Sequence, residues 1–338
     1  MTLSRRSVLA GALAAAATTR AALAQPALSP AWQGVLDYAQ SQKTTGFLAV
    51  QDRKTVVERN WPAPDDAAFR PFVYETTPGG ARLEDVASQQ KSFVSMLVAI
   101  AVDKGLIDVT APVSAYIGAG WSKAAPDQEA RIRVIDVLTQ SSGLKTDFTY
   151  AAPPGTVFLY NTPVYAITKK VLAAAAKQPL ETITHDWLTA PAGMTDTSWR
   201  KRPAAFADVG NPTGLVTSPR DTARFGQVVL DAGLAADGTR IVSVAQLQAM
   251  FTPSQTNPAY GRLWWLNGSA YTVRPLATHA DGPLIPAAPK DLVAALGLLD
   301  RKLYVVPSTK LVVVRMGDAA PDRDFDQQLW SRLSAALL

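Results

Sequence analysis

The 338-residue chain contains no cysteine. That excludes disulfides, thiol nucleophiles and cysteine metal sites. It has two histidines, His185 and His279, too few for a His-rich metal site. No G-x-S-x-G elbow occurs, so a Ser-His-Asp triad built on one is not expected. Charged residues are sparse at 18%. No Lys/Arg cluster could neutralise a row of phosphates, and nucleic acid is not an expected partner. Heptads, internal repeats and low-complexity tracts are missing as well. What remains is 48% hydrophobic, the composition of a well-packed chain, and long enough for one large or two intertwined domains.

Residues 1–24 read as a leader. Ser4-Arg5-Arg6-Ser7-Val8-Leu9 is a twin-arginine signal, followed by an Ala-rich apolar stretch over 8–17. Ala22-Leu23-Ala24 offers small residues for cleavage, with Gln25 as the new N-terminus. The apolar stretch is too short to span about 30 Å comfortably, so stable membrane insertion is not expected. Export to the periplasm or beyond is. Cleavage removes Arg5, Arg6 and Arg20 and lowers the formal charge from +5 to +2, so the basic character belongs largely to the leader.

The body, 25–338, reads as α/β at its ends (25–85 and 240–338) and helical between (86–239). Residues 32–39 form an amphipathic pattern, and 46–51 and 55–60 are β-rich runs around Asp52-Arg53-Lys54, a hairpin signature. From 88 to 105 the pattern is helical and apolar on nearly all faces, which marks a buried helix closed by Gly105. Strands are expected again at 262–267, 293–298, 302–306 and 310–316, with a final amphipathic helix over 325–338. The expectation is an antiparallel sheet flanked by terminal helices, with an all-α insertion.

The chemistry sits at the head of the buried helix. Ser88-Gln89-Gln90-Lys91 is an S-x-x-K box whose spacing of three puts both side chains on one helical face. A desolvated lysine has a lowered pKa and can take the serine proton. The bland alternative is a helix-capping serine beside an exposed lysine; Lys91 leads into a buried helix, which argues against it. A second copy, Ser142-Gly143-Leu144-Lys145, has Gly inside it and reads as a turn.

The flanking segments add a resemblance. Gly105-Leu-Ile-Asp-Val-Thr-Ala-Pro-Val, Val137-Leu-Thr-Gln-Ser-Ser-Gly-Leu144, Pro154-Gly-Thr-Val-Phe-Leu-Tyr160-Asn161-Thr162, Thr217-Ser-Pro-Arg-Asp-Thr-Ala-Arg-Phe225 and Leu303-Tyr-Val-Val-Pro-Ser308 follow the box in order. Together they resemble the β-lactamase-related serine hydrolases, which include class C β-lactamases, D-alanyl-D-alanine carboxypeptidases, esterases and nylon-oligomer hydrolases. The resemblance spans nearly all of the body. It implies Ser88 as nucleophile, Lys91 as its activating partner and Tyr160 as a phenolate-like proton shuttle. It also implies an oxyanion hole from the backbone N–H groups of Ser88 and Leu298.

Two departures stand out. The third position of the family's Y-x-N box is Thr162, with Asn161 displaced by one. The K-T-G strand box is absent, and Ala295-Leu296-Gly297 stands in its place, as in the nylon-oligomer branch. Losing K-T-G removes the usual grip on a substrate carboxylate, which favours a neutral ester or amide over a β-lactam. Arg262, Lys290, Arg301 or His279 are candidate replacement cations. Thr162, Gly297, Trp264 and His279 are the candidate pocket residues, although Trp264-Trp265 reads equally well as a core pair. The expected partner is a small-molecule ester, amide or lactam, with no metal or organic cofactor. The rival of another class is a non-catalytic binding relative. The sequence assigns no oligomeric state.

Overall fold

Two strongly apolar runs near the C-terminus, 303–306 and 311–314, become the centre of the architecture. In the computed structural model, which describes residues 28–204, 210–275 and 278–337, both lie in strands buried along their whole length. The main sheet contains β1 (Thr44–Gln51), β2 (Lys54–Asn60), β7 (Trp265–Leu266), β10 (Val293–Gly297), β11 (Arg301–Val306) and β12 (Leu311–Gly317). Its order is β2-β1-β12-β11-β10-β7, and every pairing is antiparallel. Strands covered on both faces lose the in/out alternation of a half-solvated sheet, which is why these runs read as continuous Val and Leu.

Helices supply the cover. On one face lie α1 (Pro30–Ser41) and the C-terminal helix Phe325–Ala336, whose Leu329, Trp330 and Leu333 pack with Phe47, Tyr304 and Val313. Ser29 caps α1 by accepting from the Trp32 N–H, with Pro30 at the first helical position. On the other face lies the helix Pro219–Leu230, which contributes Phe225 and Val228 to the larger core. That core also holds α2 (Gln90–Asp103), buried from Gln90 to Ala101 as its all-round apolar sequence requires. The β1–β2 hairpin turns at Asp52 and Arg53, both at positive φ; Lys54, read from the sequence as part of the turn, already pairs with Gln51.

The antiparallel sheet with terminal helices stands as expected, and two details go further. The region between 86 and 239 carries two short strands besides its helices. β5 (Ser198–Lys201) and β6 (Thr213–Thr217) join β3 (Val73–Thr76) and β4 (Arg82–Asp85) in a second sheet, order β3-β4-β6-β5. The strand expected over 262–267 shrinks to two residues. Leu263 sits at φ 60°, and the N–H groups of Arg262 and Leu263 bond to Met250 and Leu138 rather than to a ladder. A separate hairpin, β8 (Tyr271–Arg274) with β9 (Thr278–Asp281), carries His279. The leader and its cleavage site lie outside the described residues.

Candidate active site

From Leu83 to Ala101 every residue is buried except Ser88, which is partly exposed. The backbone arrives from β4 and turns sharply. Ala87 adopts φ 49°, its N–H held by Asp85 Oδ1 at 2.8 Å, and a single 3-10 turn then leads into α2. A non-glycine residue in that region costs on the order of 1 kcal/mol, and such strain persists only where surroundings over-determine it.

Lys91 Nζ lies 2.9 Å from Ser88 Oγ and 3.2 Å from Thr162 Oγ1, as the spacing of three predicts for the first contact. The ammonium faces the rings of Tyr160 and Tyr165 at 4.8 and 4.7 Å. It is 2% exposed. Burial, helped by the charge of Arg202, lowers its pKa to about 7. A substantial fraction is therefore neutral near pH 7 and able to accept the serine proton.

Tyr160 stacks on Trp265 at 6.0 Å between centroids and meets Tyr260 edge-on. Burial raises its pKa to about 12, with a hydrogen bond from Ser88 offsetting part of the rise. It is a phenol at neutral pH, which corrects the phenolate-like expectation; the titrating group near neutrality is Lys91. Asn161 caps the helix Thr162–Ala176: its Oδ1 accepts from the Val164 N–H and its Nδ2 donates to the Leu144 carbonyl. The displaced asparagine is thus committed to the backbone, and Thr162 is the side chain that reaches Lys91.

β10 passes so close to the Ser88 turn that a Cβ on Gly297 would lie 2.3 Å from the Val86 carbonyl oxygen. Only glycine permits that approach, and it brings Leu298 beside Ser88. Both residues line two chambers. The larger, about 630 Å³, is walled by Tyr160, Trp265, Ile285 and Leu296, with Arg274 and Arg323 also on its lining. The smaller, about 230 Å³, is bounded by Phe72, Thr162, Arg202 and Asn211.

The remaining candidates fall elsewhere. Trp264 is 0% exposed and packs between Phe225 and Phe251 in the core, so Trp265 is the tryptophan of the cleft. His279 is exposed, stacked on Tyr271 and bonded to Asp281, and lines neither chamber. Arg262 and Lys290 line neither as well, and Arg301 is buried against Glu84. Arg202, Asn211 and Lys169 were not found from the sequence. Lys169 is buried behind the small chamber and donates to Gln90 Oε1, Asn211 Oδ1 and Thr213. Arg202 forms a two-pronged pair with Asp85, at 2.7 and 2.9 Å. Two adjacent acids, Glu84 and Asp85, just ahead of an apolar helix were the available signal, since buried carboxylates require cations.

A sequence model described as Beta-lactamase matches residues 33–337. No curated protein matches the chain significantly in sequence. Among solved structures, a protein of Bacteroides dorei DSM 17855 provisionally described as a β-lactamase superposes with a TM-score of 0.70 at 13% identity, covering 91% of this chain and 98% of that one. A Bacillus anthracis protein provisionally described as a 6-aminohexanoate-dimer hydrolase gives 0.66 at 17% identity, with 91% and 81% covered. A β-lactamase/D-alanine carboxypeptidase from Yersinia pestis gives 0.64 at 17% identity, with 91% and 99% covered.

Proposed function

The chain belongs to the β-lactamase family of hydrolases, and on that premise we propose that it hydrolyses small esters or amides through an acyl-enzyme on Ser88. The observation that carries the reading is the 2.9 Å contact between Ser88 Oγ and a buried Lys91 whose pKa falls to about 7. Lys91 takes the proton as Ser88 Oγ attacks the carbonyl carbon, and the proton passes by way of the Tyr160 hydroxyl to the leaving oxygen or nitrogen. The N–H groups of Ser88 and Leu298 receive the tetrahedral oxyanion. Water then attacks the ester carbonyl, and the serine regains its proton as the acid departs.

A neutral substrate is favoured by Ala295-Leu296-Gly297 in place of K-T-G and by the apolar and aromatic walls of the larger chamber. A second reading, cleavage of a β-lactam or D-Ala-D-Ala peptide, is favoured by Arg274 and Arg323 on that same lining, which could hold a carboxylate. Labelling with an alkyl fluorophosphonate, followed by mass mapping, tests the nucleophile; a wild-type chain that takes no label points to the non-catalytic relative. A panel of p-nitrophenyl esters, a chromogenic cephalosporin and short linear amides separates the substrates. Export through the twin-arginine route belongs to the same proposal. Exported protein should begin at or near Gln25, and a retained Met1 would reject cleavage.

A further inference from the structure

β4 ends in two adjacent acids whose side chains leave the strand on opposite faces. Both are buried, Glu84 at 0% and Asp85 at 2% exposure, and each meets an arginine from a distant part of the chain. Glu84 Oε2 lies 3.0 Å from Arg301 Nη2. The same guanidinium donates from Nη1 to the carbonyl oxygen of Leu298 at 3.1 Å and lies over the Phe72 ring. A second fully buried arginine, Arg315, takes the next two carbonyls of that turn, Leu299 and Asp300, at 2.8 and 3.1 Å. All three carbonyls of the β10–β11 turn are therefore held by guanidinium groups, although the turn is at the surface and Leu298 itself is 61% exposed.

Asp85 does the equivalent on the other side. Oδ1 accepts the N–H of Ala87, the strained residue preceding Ser88, while both carboxylate oxygens receive Arg202. A Cβ on Gly214 would lie 1.9 Å from Asp85 Oδ2, so β6 is shaped to admit the carboxylate. Arg202 is further tied to the Asn211 carbonyl at 3.1 Å.

We infer that Glu84–Arg301 and Asp85–Arg202 are paired positioning residues, one pair fixing the Leu298 turn and the other the Ser88 turn, so that a single strand end sets the spacing of the two oxyanion donors. This rests on the acyl-enzyme reading of Ser88. Backbone donors help only if aimed where the oxyanion will form, and neither donor lies in a regular ladder that would aim it. Two buried charge pairs from neighbouring residues tie both turns to one frame, Asp85–Arg202 through two hydrogen bonds and Glu84–Arg301 through a 3.0 Å ion-pair contact.

The test compares transition-state with ground-state binding. In Glu84→Gln/Arg301→Met and in Asp85→Ala/Arg202→Met, both members of a pair are removed, so no lone buried charge is left. With p-nitrophenyl butyrate, read on the plateau of each variant's pH–rate profile so that the Arg202 charge on Lys91 does not enter, kcat should fall about tenfold to a hundredfold, the scale of an ångström-sized misplacement, while KM stays within about twofold. Affinity for phenylboronic acid, which forms a tetrahedral adduct on serine, should fall by the same factor as kcat. If the paired variants do not fold, Arg301→Lys and Arg202→Lys, which keep the charge and lose the fork, are read out identically. A folded variant of either pair with kcat and boronate affinity within about twofold of wild type overturns the proposal. So does a loss confined to KM. Absence of a fluorophosphonate adduct at Ser88 in the wild type overturns the hydrolase reading itself, a separate and recognisable failure.

Discussion

The chain holds three S-x-x-K segments. The third, Ser198–Lys201, runs along strand β5, where a spacing of three sends the two side chains to opposite faces. The other two, 88–91 and 142–145, have nothing in common but their spacing. At 88–91 the serine is the one accessible residue in a buried stretch, and its lysine is sealed against aromatic rings. At 142–145 the relation is inverted: Ser142 is 2% exposed and Lys145 lies in solvent. Spacing can bring an amine to a hydroxyl only on a continuous helix, and Gly143 at φ 74° breaks the second copy into a turn. Even on the helix, reactivity comes from desolvation of the amine, not from proximity. The first comparison to break is therefore the serine itself. Ser88→Ala should abolish fluorophosphonate labelling and ester turnover while circular dichroism and Tm remain close to wild type. Retained turnover above about a thousandth of wild type, far more than the roughly millionfold loss expected when a nucleophilic serine is removed would leave, would assign the chemistry elsewhere.

Lys91 sharpens the contrast in two directions. Lys91→Met should lower kcat/KM by about a hundredfold to ten-thousandfold, the range for a general base. The same change should stabilise the protein. Well below pH 7 the lysine is protonated both folded and unfolded, and the full penalty of burying its charge applies. Between about pH 7 and 10.5 the unfolded chain binds the proton and the native chain does not, so wild-type stability rises with pH across that window. Above both values the penalty has gone. Urea unfolding at pH 6 should show Lys91→Met more stable by a few kcal/mol, on the order of 1.4 kcal/mol for each tenfold loss of proton affinity on folding, with the gap closing toward pH 10. A gap of constant size would mean that the ammonium is not desolvated in the way its surroundings suggest.

Tyr160→Phe removes only the hydroxyl and leaves the stack on Trp265. About a tenfold to thousandfold loss in kcat is expected, smaller for esters with good leaving groups, which need little protonation. The double variant with Lys91→Met should be little worse than the worse single variant, because residues acting as one unit are not additive. Losses that multiply would show the two groups working in separate steps.

How much of this was legible depended on how local each feature is. Ser88 and Lys91 lie one helical turn apart, and the helix declares itself by its apolar composition. Tyr160 required only a register. Thr162 and Asn161 were visible, but not the reason for their order, which is that a helix start takes Asn161 as its cap. The choice between Trp264 and Trp265 turned on one left-handed residue, Leu263, which no period-two pattern anticipates. β5 and β6 were missed because strands of four or five residues are too short to show a period: β5, Ser198–Lys201, has no buried residue, and β6, Thr213–Thr217, is buried along nearly all its length. The charge pairs were least legible of all, since Glu84 and Arg301 come from opposite ends of the chain and only the folded sheet joins them.

The smallest effect belongs to the second copy, and it tests the comparison from its weak side. Among the described residues, Ser142 Oγ accepts only from the Leu144 N–H, at 3.3 Å within its own turn. Removing that contact should cost on the order of 1 kcal/mol or less, the net worth of an ordinary hydrogen bond. Ser142→Ala should therefore leave kcat, KM and the rate of fluorophosphonate labelling within about twofold of wild type. Lys145→Met should do the same, since that side chain is exposed in a turn and lines neither chamber. Gly143→Ala is the control that should hurt, through folding and not through chemistry. At φ 74° a side chain is strained, and its Cβ would lie 1.9 Å from the Ala152 carbonyl oxygen. Its Tm should drop while the surviving folded fraction keeps the wild-type kcat per labelled site. A labelled peptide containing Ser142, or a loss of turnover in Ser142→Ala at unchanged Tm, would reverse the assignment. The buried lysine at 91 would then be a structural feature, and the spacing of the box would have pointed to the wrong serine.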